Sequence, residues 1–271
     1  MSILWLDETD CQNVRATGGK ASALSRLFHR YPVPPGFCFT AKASDKSIAE
    51  AYEKLGEKCK INHPPTAVRS SAMDEDGMEA SFAGQYETYL NIVGASGVIE
   101  AARRCFESAG SDRVAAYRFI REKKEDNGNM AALVQRLIKA DVSAVVFSVN
   151  PVNGNETEII INSNWGLGQS IVSGTATPDT YIISKPGLEI KGRHAALKTK
   201  MTIPHPSGTG IIEAAVPRMM AHHLSMTDKQ AIQTAELALR LEKESGFSVD
   251  VECAWKDAEL YLLQCRPVTA L

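Results

Sequence analysis

The 271-residue sequence contains no C-x-x-C pair: its six cysteines, Cys11, Cys38, Cys59, Cys105, Cys253 and Cys265, are scattered along the chain. That spacing argues against a zinc site and against a disulfide framework. There is no internal repeat, no low-complexity tract, and no apolar run approaching the ~20 residues that span a bilayer. Neither sign of charge dominates, because 30 basic side chains against 32 acidic ones leave a formal net charge of −2. A basic nucleic-acid binder and an acidic disordered chain are both excluded on that ground. The N-terminus, MSILWLDETD, turns acidic too early for the charged start and apolar core of a signal peptide. A reduced, cytoplasmic protein that engages neither membrane nor nucleic acid is the expectation.

What is present is an ordinary globular composition, 44% hydrophobic and 23% charged, long enough for one large domain or two closely packed ones. Leu24, Leu27 and Phe28 share helical spacing and predict a helix from Gly19 or Lys20, which Pro32 to Phe37 must break. A second helix is expected from Ser44 to Lys60, ending before Asn62-His63-Pro64-Pro65. Ala67 to Ser71 reads as a strand running into a polar loop. Residues 96–122 look helical, and the charged segment Lys123 to Asn129 is the best domain boundary. Beyond it, Val142 to Phe147, Glu158 to Ile161 and Tyr181 to Ile183 are β-rich. A helix returns at Thr227, where Thr227-Asp228-Lys229-Gln230 matches a capping box and Gly246 supplies a stop. The fold class expected is α+β, with domains 1–125 and 126–271.

The last two strands are the most informative. Val249, Val251, Cys253 and Trp255 alternate with Asp250, Glu252 and Ala254; Tyr261, Leu263 and Cys265 alternate with Leu262, Gln264 and Arg266. A four-residue loop would set Glu252 opposite Leu263 and mix polar with apolar faces. An odd-length loop within Trp255–Tyr261 instead pairs Glu252 with Gln264, Asp250 with Arg266 and Cys253 with Leu263. The resulting patch is either a solvated outer face or a site, since carboxylate and amide oxygens suit Mg²⁺ and arginine suits phosphate.

Three other segments have anion-handling chemistry. Gly18-Gly19-Lys20 precedes a helix, where backbone N–H groups and a lysine can meet an anion, although the spacing is not that of a P-loop. Arg69 leaves a strand ahead of the small-residue loop around Gly84, which can lay N–H groups over a polyphosphate. Trp165-Gly166-Leu167-Gly168-Gln169-Ser170 reads equally well as a structural turn.

Together the stretches GGKASALSRL, VPPGFCFTAKA, AVRSSAMDEDGMEASFAGQYETYLN, LVQRLIKADVSAVVFSVNPVNG, WGLGQSIVSGTATPDTY and ELYLLQCRPVT resemble, in order, the nucleotide-binding domain of the phosphoenolpyruvate synthase, pyruvate phosphate dikinase and rifampicin phosphotransferase family. The resemblance implies an ATP-grasp fold, two α+β lobes clamping ATP, with ATP and Mg²⁺ as ligands. It makes Lys20 and Arg69 phosphate contacts and assigns Gly84, Thr88 and Tyr89 to a flap over them. Gln135 would lie near adenine, with Arg136, Leu137 and Ile138 offering backbone groups and apolar wall. Glu252 and Gln264 match metal- and phosphate-binding positions, Asp250, at a commonly acidic one, is a third metal ligand, and Arg266 is a catalytic phosphate contact together with Lys20 and Arg69.

The departures bear on function. The sequence stops at Leu271, where family members continue into a swivelling phosphohistidine domain and a substrate domain. None of His29, His63, His194, His205, His222 and His223 sits in the glycine- and threonine-rich setting of the carrier histidine. The stretch between Ala43 and Pro64 is also short. Three functions survive: one subunit of a split enzyme, passing phosphate from ATP to a histidine on a partner chain; a free-standing small-molecule kinase; or a nucleotide sensor without chemistry. The intact set Lys20, Arg69, Glu252, Gln264 and Arg266 counts against the last, and the first is the leading expectation.

Overall fold

The structure is a computed structural model that describes residues 3–73, 76–77, 80–81, 87–109 and 130–269. The chain divides into two units, Met1–Leu137 with His205–Gly210, and Ile138–Pro204 with Ile211–Leu271. The Lys123 to Asn129 segment, like Gly84, lies outside the described residues.

The first unit holds strands β1 (Leu4–Trp5), β2 (Gly36–Thr40), β3 (Thr66–Ser71), β6 (Thr88–Ile92) and β7 (Ala131–Arg136), in the antiparallel order β1-β2-β7-β3-β6. Two-residue strands β4 (Asp76–Gly77) and β5 (Ala80–Ser81) pair separately. Its helices are α1 (Val14–Leu27), α2 (Asp45–Cys59) and α3 (Ala95–Ala109). Helix α2 starts where the sequence predicts, because the Ser44 side chain accepts the Ser47 N–H at 3.2 Å. Helix α1 begins earlier than expected, at Val14 behind an Asn13 cap. Gly18, at φ 76° and ψ 172°, breaks it, so the turn carrying Lys20 is a fresh start.

Register assigns the two faces of this sheet. Phe37, Val134, Val68 and Tyr89 form one transverse row, and Cys38, Leu133, Arg69 and Thr88 the next. Neighbouring rows face opposite ways. The Phe37 face buries the core with Ile48, Tyr52 and Leu55 of α2 and Val98, Ala101 and Cys105 of α3. Each large apolar side chain fully buried there contributes about 1.5–3 kcal/mol. The Arg69 face lies on the side of α1, which packs on β2, β3 and β7.

The second unit is built on a six-stranded antiparallel sheet, β11-β10-β9-β8-β14-β15. Its strands are β8 (Val142–Phe147), β9 (Glu158–Trp165), β10 (Asp179–Ser184), β11 (Glu189–His194), β14 (Val249–Lys256) and β15 (Glu259–Pro267). A separate hairpin pairs β12 (Lys200–Pro204) with β13 (Ile211–Ala215). Helices α4 (Gln169–Val172) and α5 (Arg218–Ala221) are single turns, and α6 (Asp228–Ser245) is the long one. The capping box at Thr227 is present in both directions, and Gly246 ends α6 in the left-handed conformation. Strands β11 to β13 were not expected: exposed and partly buried side chains mix along them and only Thr202 is buried, so no clear apolar alternation marks them. Helix α6 covers the sheet face of Val251 and Trp255, whose indole N–H donates to Thr234 Oγ1 at 3.0 Å. Among the described residues, no helix is long and apolar enough to cross a membrane.

Candidate functional site

The hairpin β14–β15 turns on Asp257 and Ala258, both at positive φ, with Lys256 opposite Glu259. This is the two-residue primed turn that matches strand twist, so the odd-length loop expected from alternation is wrong. Glu252 nevertheless faces Gln264, and Asp250 faces Arg266, as expected. A β-bulge reconciles the two: Cys253 pairs with Leu262, not Leu263, so Leu263 is the extra residue. Alternation reports faces and cannot see one inserted residue that resets parity. Leu262 consequently sits on the α6 face and is fully buried, while Tyr261 moves opposite Ala254.

Arg266 donates from Nε at 2.9 Å and from Nη2 at 2.7 Å to the same oxygen, Oδ2, of Asp250. Asp250 and Gln264 are nearly buried, and Glu252 and Arg266 half-buried. The patch is therefore no solvated outer face. The ladders extend it across the sheet: Gln264, Glu252, Val145, Asn162 and Thr180 form one row, and Arg266, Asp250, Phe147 and Ile160 the next on the same side. Asn162, whose Oδ1 accepts from Thr180 Oγ1 at 3.0 Å, was missed by sequence reasoning. Its alternation with Ile159 and Ile161 was the available signal.

In the first unit, segments fifty residues apart in sequence meet. Gly19 N–H donates to Ala72 O at 2.9 Å, and Ala21 N–H to Ser71 Oγ at 3.1 Å. The helix start bearing Lys20 is thus seated on the end of the strand bearing Arg69. A Cβ on Gly18 would stand 2.0 Å from Ser71 O, so only glycine permits this approach. Lys20 and Arg69 are both nearly buried, at 7% and 8% exposure. Thr88 is directly opposite Arg69 and shares its face.

Tyr89, unlike Thr88, does not share the Arg69 face. It shares the opposite face with Val68 and packs against the core, with the Arg104 guanidinium 5.9 Å from its ring. Burial, aided by a hydrogen bond with Glu87, pushes its phenol up to about 12. Gln135 is buried beside Gly36 and Ala67, and its amide donates to Pro34 O at 3.1 Å. The Arg136 and Leu137 N–H groups donate to Pro35 and Pro65 carbonyls, both at 2.8 Å, and the Leu137 and Ile138 side chains are buried.

Residues 42–271 match the model of the family described as "Pyruvate phosphate dikinase, AMP/ATP-binding domain". The chain belongs to this family. It is 36% identical to a probable phosphoenolpyruvate synthase of Methanocaldococcus jannaschii over 99% of this chain and 27% of that one. It is 33% identical to the uncharacterized phosphotransferase YvkC of Bacillus subtilis, over 96% and 34%. Identity to the prodigiosin synthesizing transferase PigC of Serratia marcescens is also 33%, over 93% and 31%. The chain thus spans about a third or less of these three relatives.

Within this AMP/ATP-binding domain, the Trp165–Ser170 segment packs on β12. Gly166, at φ 73°, brings its backbone so close to β12 that a Cβ would lie 2.4 Å from Thr202 O, and Leu167 N–H donates to that carbonyl at 2.8 Å. Asp179 of the same motif is fully buried with Lys198. It accepts from Lys198 Nζ at 2.6 Å and Ala196 N at 2.9 Å on one oxygen, and from Ser225 N and Oγ on the other. Among the described residues no three His, Cys, Asp or Glu side chains cluster as a metal cage. Glu252 and Gln264, opposite one another, still present a carboxylate and an amide oxygen. That sparse oxygen set suits Mg²⁺, which takes only one or two protein ligands and completes its shell with phosphates and water.

Proposed function

We propose that this chain is the Mg²⁺-ATP-binding part of a phosphotransferase of ATP-grasp type, which passes phosphate from ATP to a histidine on a separate chain or domain. The observation that carries the reading is the register pairing of Glu252 with Gln264 and of Asp250 with Arg266 on one partly buried face. Lys20 and Arg69 bind and orient the phosphates. Arg266, fixed by Asp250, meets the charge that develops on the transferred group. Glu252 and Gln264 hold the metal, and Mg²⁺ when bound supplies charge neutralisation of the polyphosphate. Such a site does little covalent work of its own: positioning and electrostatics carry the rate. The short span relative to the longer relatives supports an acceptor histidine outside this sequence.

The test is to incubate the purified chain with Mg²⁺ and γ- or β-labelled ATP, with and without a protein bearing an acceptor histidine, and to separate AMP from ADP. Weak turnover alone and acid-labile phosphohistidine on the added protein are expected. Rapid phosphorylation of a small metabolite without any partner would establish a free-standing kinase instead.

A further inference from the structure

The nucleotide reading uses no cysteine, yet two cysteines meet in the first unit. Cys11 lies in the 3-10 turn Thr9–Gln12 ahead of α1, and Cys38 in β2. Their sulfurs are 3.5 Å apart, and both side chains are fully buried. At that distance the two thiols are in direct contact, with no room for an atom between them. Cys105 and Cys253, by contrast, direct their sulfurs at backbone carbonyls.

The surroundings make this pair consequential. The residues between Cys11 and Cys38 include the whole of α1, with Gly18, Gly19 and Lys20. The 3-10 turn is the seat of that helix: Thr17 Oγ1 donates to Cys11 O at 2.8 Å and Ser22 Oγ to Gln12 O at 2.8 Å. Cys38 belongs to the transverse row of Leu133, Arg69 and Thr88. A bond between the sulfurs would tie the seat of α1 directly to the sheet that carries Arg69.

We propose that Cys11 and Cys38 are a redox-modification site, a dithiol that hydrogen peroxide converts into a disulfide enclosing α1. One sulfur, as thiolate, attacks peroxide; its S–O bond forms, the O–O bond breaks, and hydroxide leaves to be protonated to water. The second sulfur attacks the resulting sulfenic acid; the S–S bond forms and a second water leaves. Two thiols are oxidised and one peroxide is reduced to two waters. Forming the bond requires the sulfurs to approach from 3.5 Å to about 2.05 Å. The hydrogen bond with Cys11, with burial adding, raises the Cys38 thiol well above its ordinary value, so Cys38 stays protonated and is the sulfur that closes the bond second. Complete burial leaves access only to a small uncharged oxidant.

The experiment treats the full chain with hydrogen peroxide, then unfolds it, alkylates remaining thiols and maps peptides by mass. The expected product has lost two hydrogens, links the Cys11 and Cys38 peptides, and reverts with dithiothreitol. Its melting temperature rises by roughly 5–10 °C, as closing a loop of this length implies. A Cys59→Ser/Cys265→Ser variant keeps the product and Cys11→Ala loses it; Cys38→Ala replaces Cys11→Ala should that variant not fold. Recovery of Cys11 and Cys38 both alkylated, separate sulfonic acids at the two sites, or a link to Cys59 or Cys265 would overturn the proposal. A fall in melting temperature would overturn the claim that the bond holds α1. None of these readouts depends on ATP, so the proposal stands or falls apart from the nucleotide reading.

Discussion

Arg266 places two N–H groups on one oxygen of Asp250, across the ladder from it and beside the Glu252–Gln264 pair. The carboxylate thus aims the guanidinium. Arg266→Ala is expected to slow phosphoryl transfer about 10²–10³-fold, equivalent to ~3–4 kcal/mol of barrier. Arg266→Lys should not rescue it, because an ammonium lacks the planar fork. Asp250→Asn should impair transfer less while leaving ATP bound. Single-turnover rates set beside ATP dissociation constants test the ordering; equal losses of binding and rate would contradict it.

Glu252→Ala should remove the metal dependence of nucleotide binding. Wild-type protein is expected to bind ATP at least tenfold more tightly with Mg²⁺ than with EDTA, by analogy with losses of metal-site partners. Calorimetric titration of the variant should show that ratio collapse towards one.

Gly18 should resist all substitution. Gly18→Ala puts a Cβ 2.0 Å from Ser71 O at a φ and ψ that side chains avoid, and is expected to cost ~3 kcal/mol or more. Gly94→Ala, at φ 87° with nothing within 4 Å of the added carbon, should cost only ~1 kcal/mol of backbone strain. Urea denaturation of both variants gives the comparison.

Lys198 and Asp179 form a fully buried pair, whereas Arg193 and Asp228 form an exposed one. Lys198→Met strands a buried carboxylate and is expected to destabilise by ~3–5 kcal/mol. Arg193→Met should cost less than ~1 kcal/mol. Similar melting temperatures for the two variants would refute this.

The Lys256 ammonium, donating to Asp141 at 2.8 Å, holds that carboxyl below its ordinary range. The unfolded chain binds this proton at higher pH than the folded one. The contribution is therefore complete above the unfolded pKa of ~3.9 and is lost as pH falls through the lower folded value. The stability difference between wild type and Asp141→Asn should be constant from pH 7 to about 5 and shrink as pH falls below the unfolded value of ~3.9. Because both groups are largely exposed, it should also shrink in high salt.

Much of this architecture was legible because local chemistry announces it. The Ser44 and Thr227 caps, the Gly246 stop and the strands from Val142, Glu158 and Tyr181 depend on residues within a few positions of one another. The same holds for the facing of Glu252 and Gln264, which follows from period-two alternation with a clean division of polar and apolar faces. The loop length did not follow, since a two-residue turn plus a bulge at Leu263 yields the same pairing as an odd loop. Strands β11 to β13 were silent because, with only Thr202 buried, they carry no apolar stripe.

Residue type and spacing by themselves determined the α+β class, the helix ends and the hairpin's polar patch, because capping and alternation are short-range physics. Tertiary structure alone decided that Gly18–Lys20 seats on Ser71 and Ala72, that Tyr89 turns from Arg69 towards α3, and that Cys11 touches Cys38. Each of those joins residues far apart in sequence through sheet register and close packing, and neither leaves a trace in local pattern.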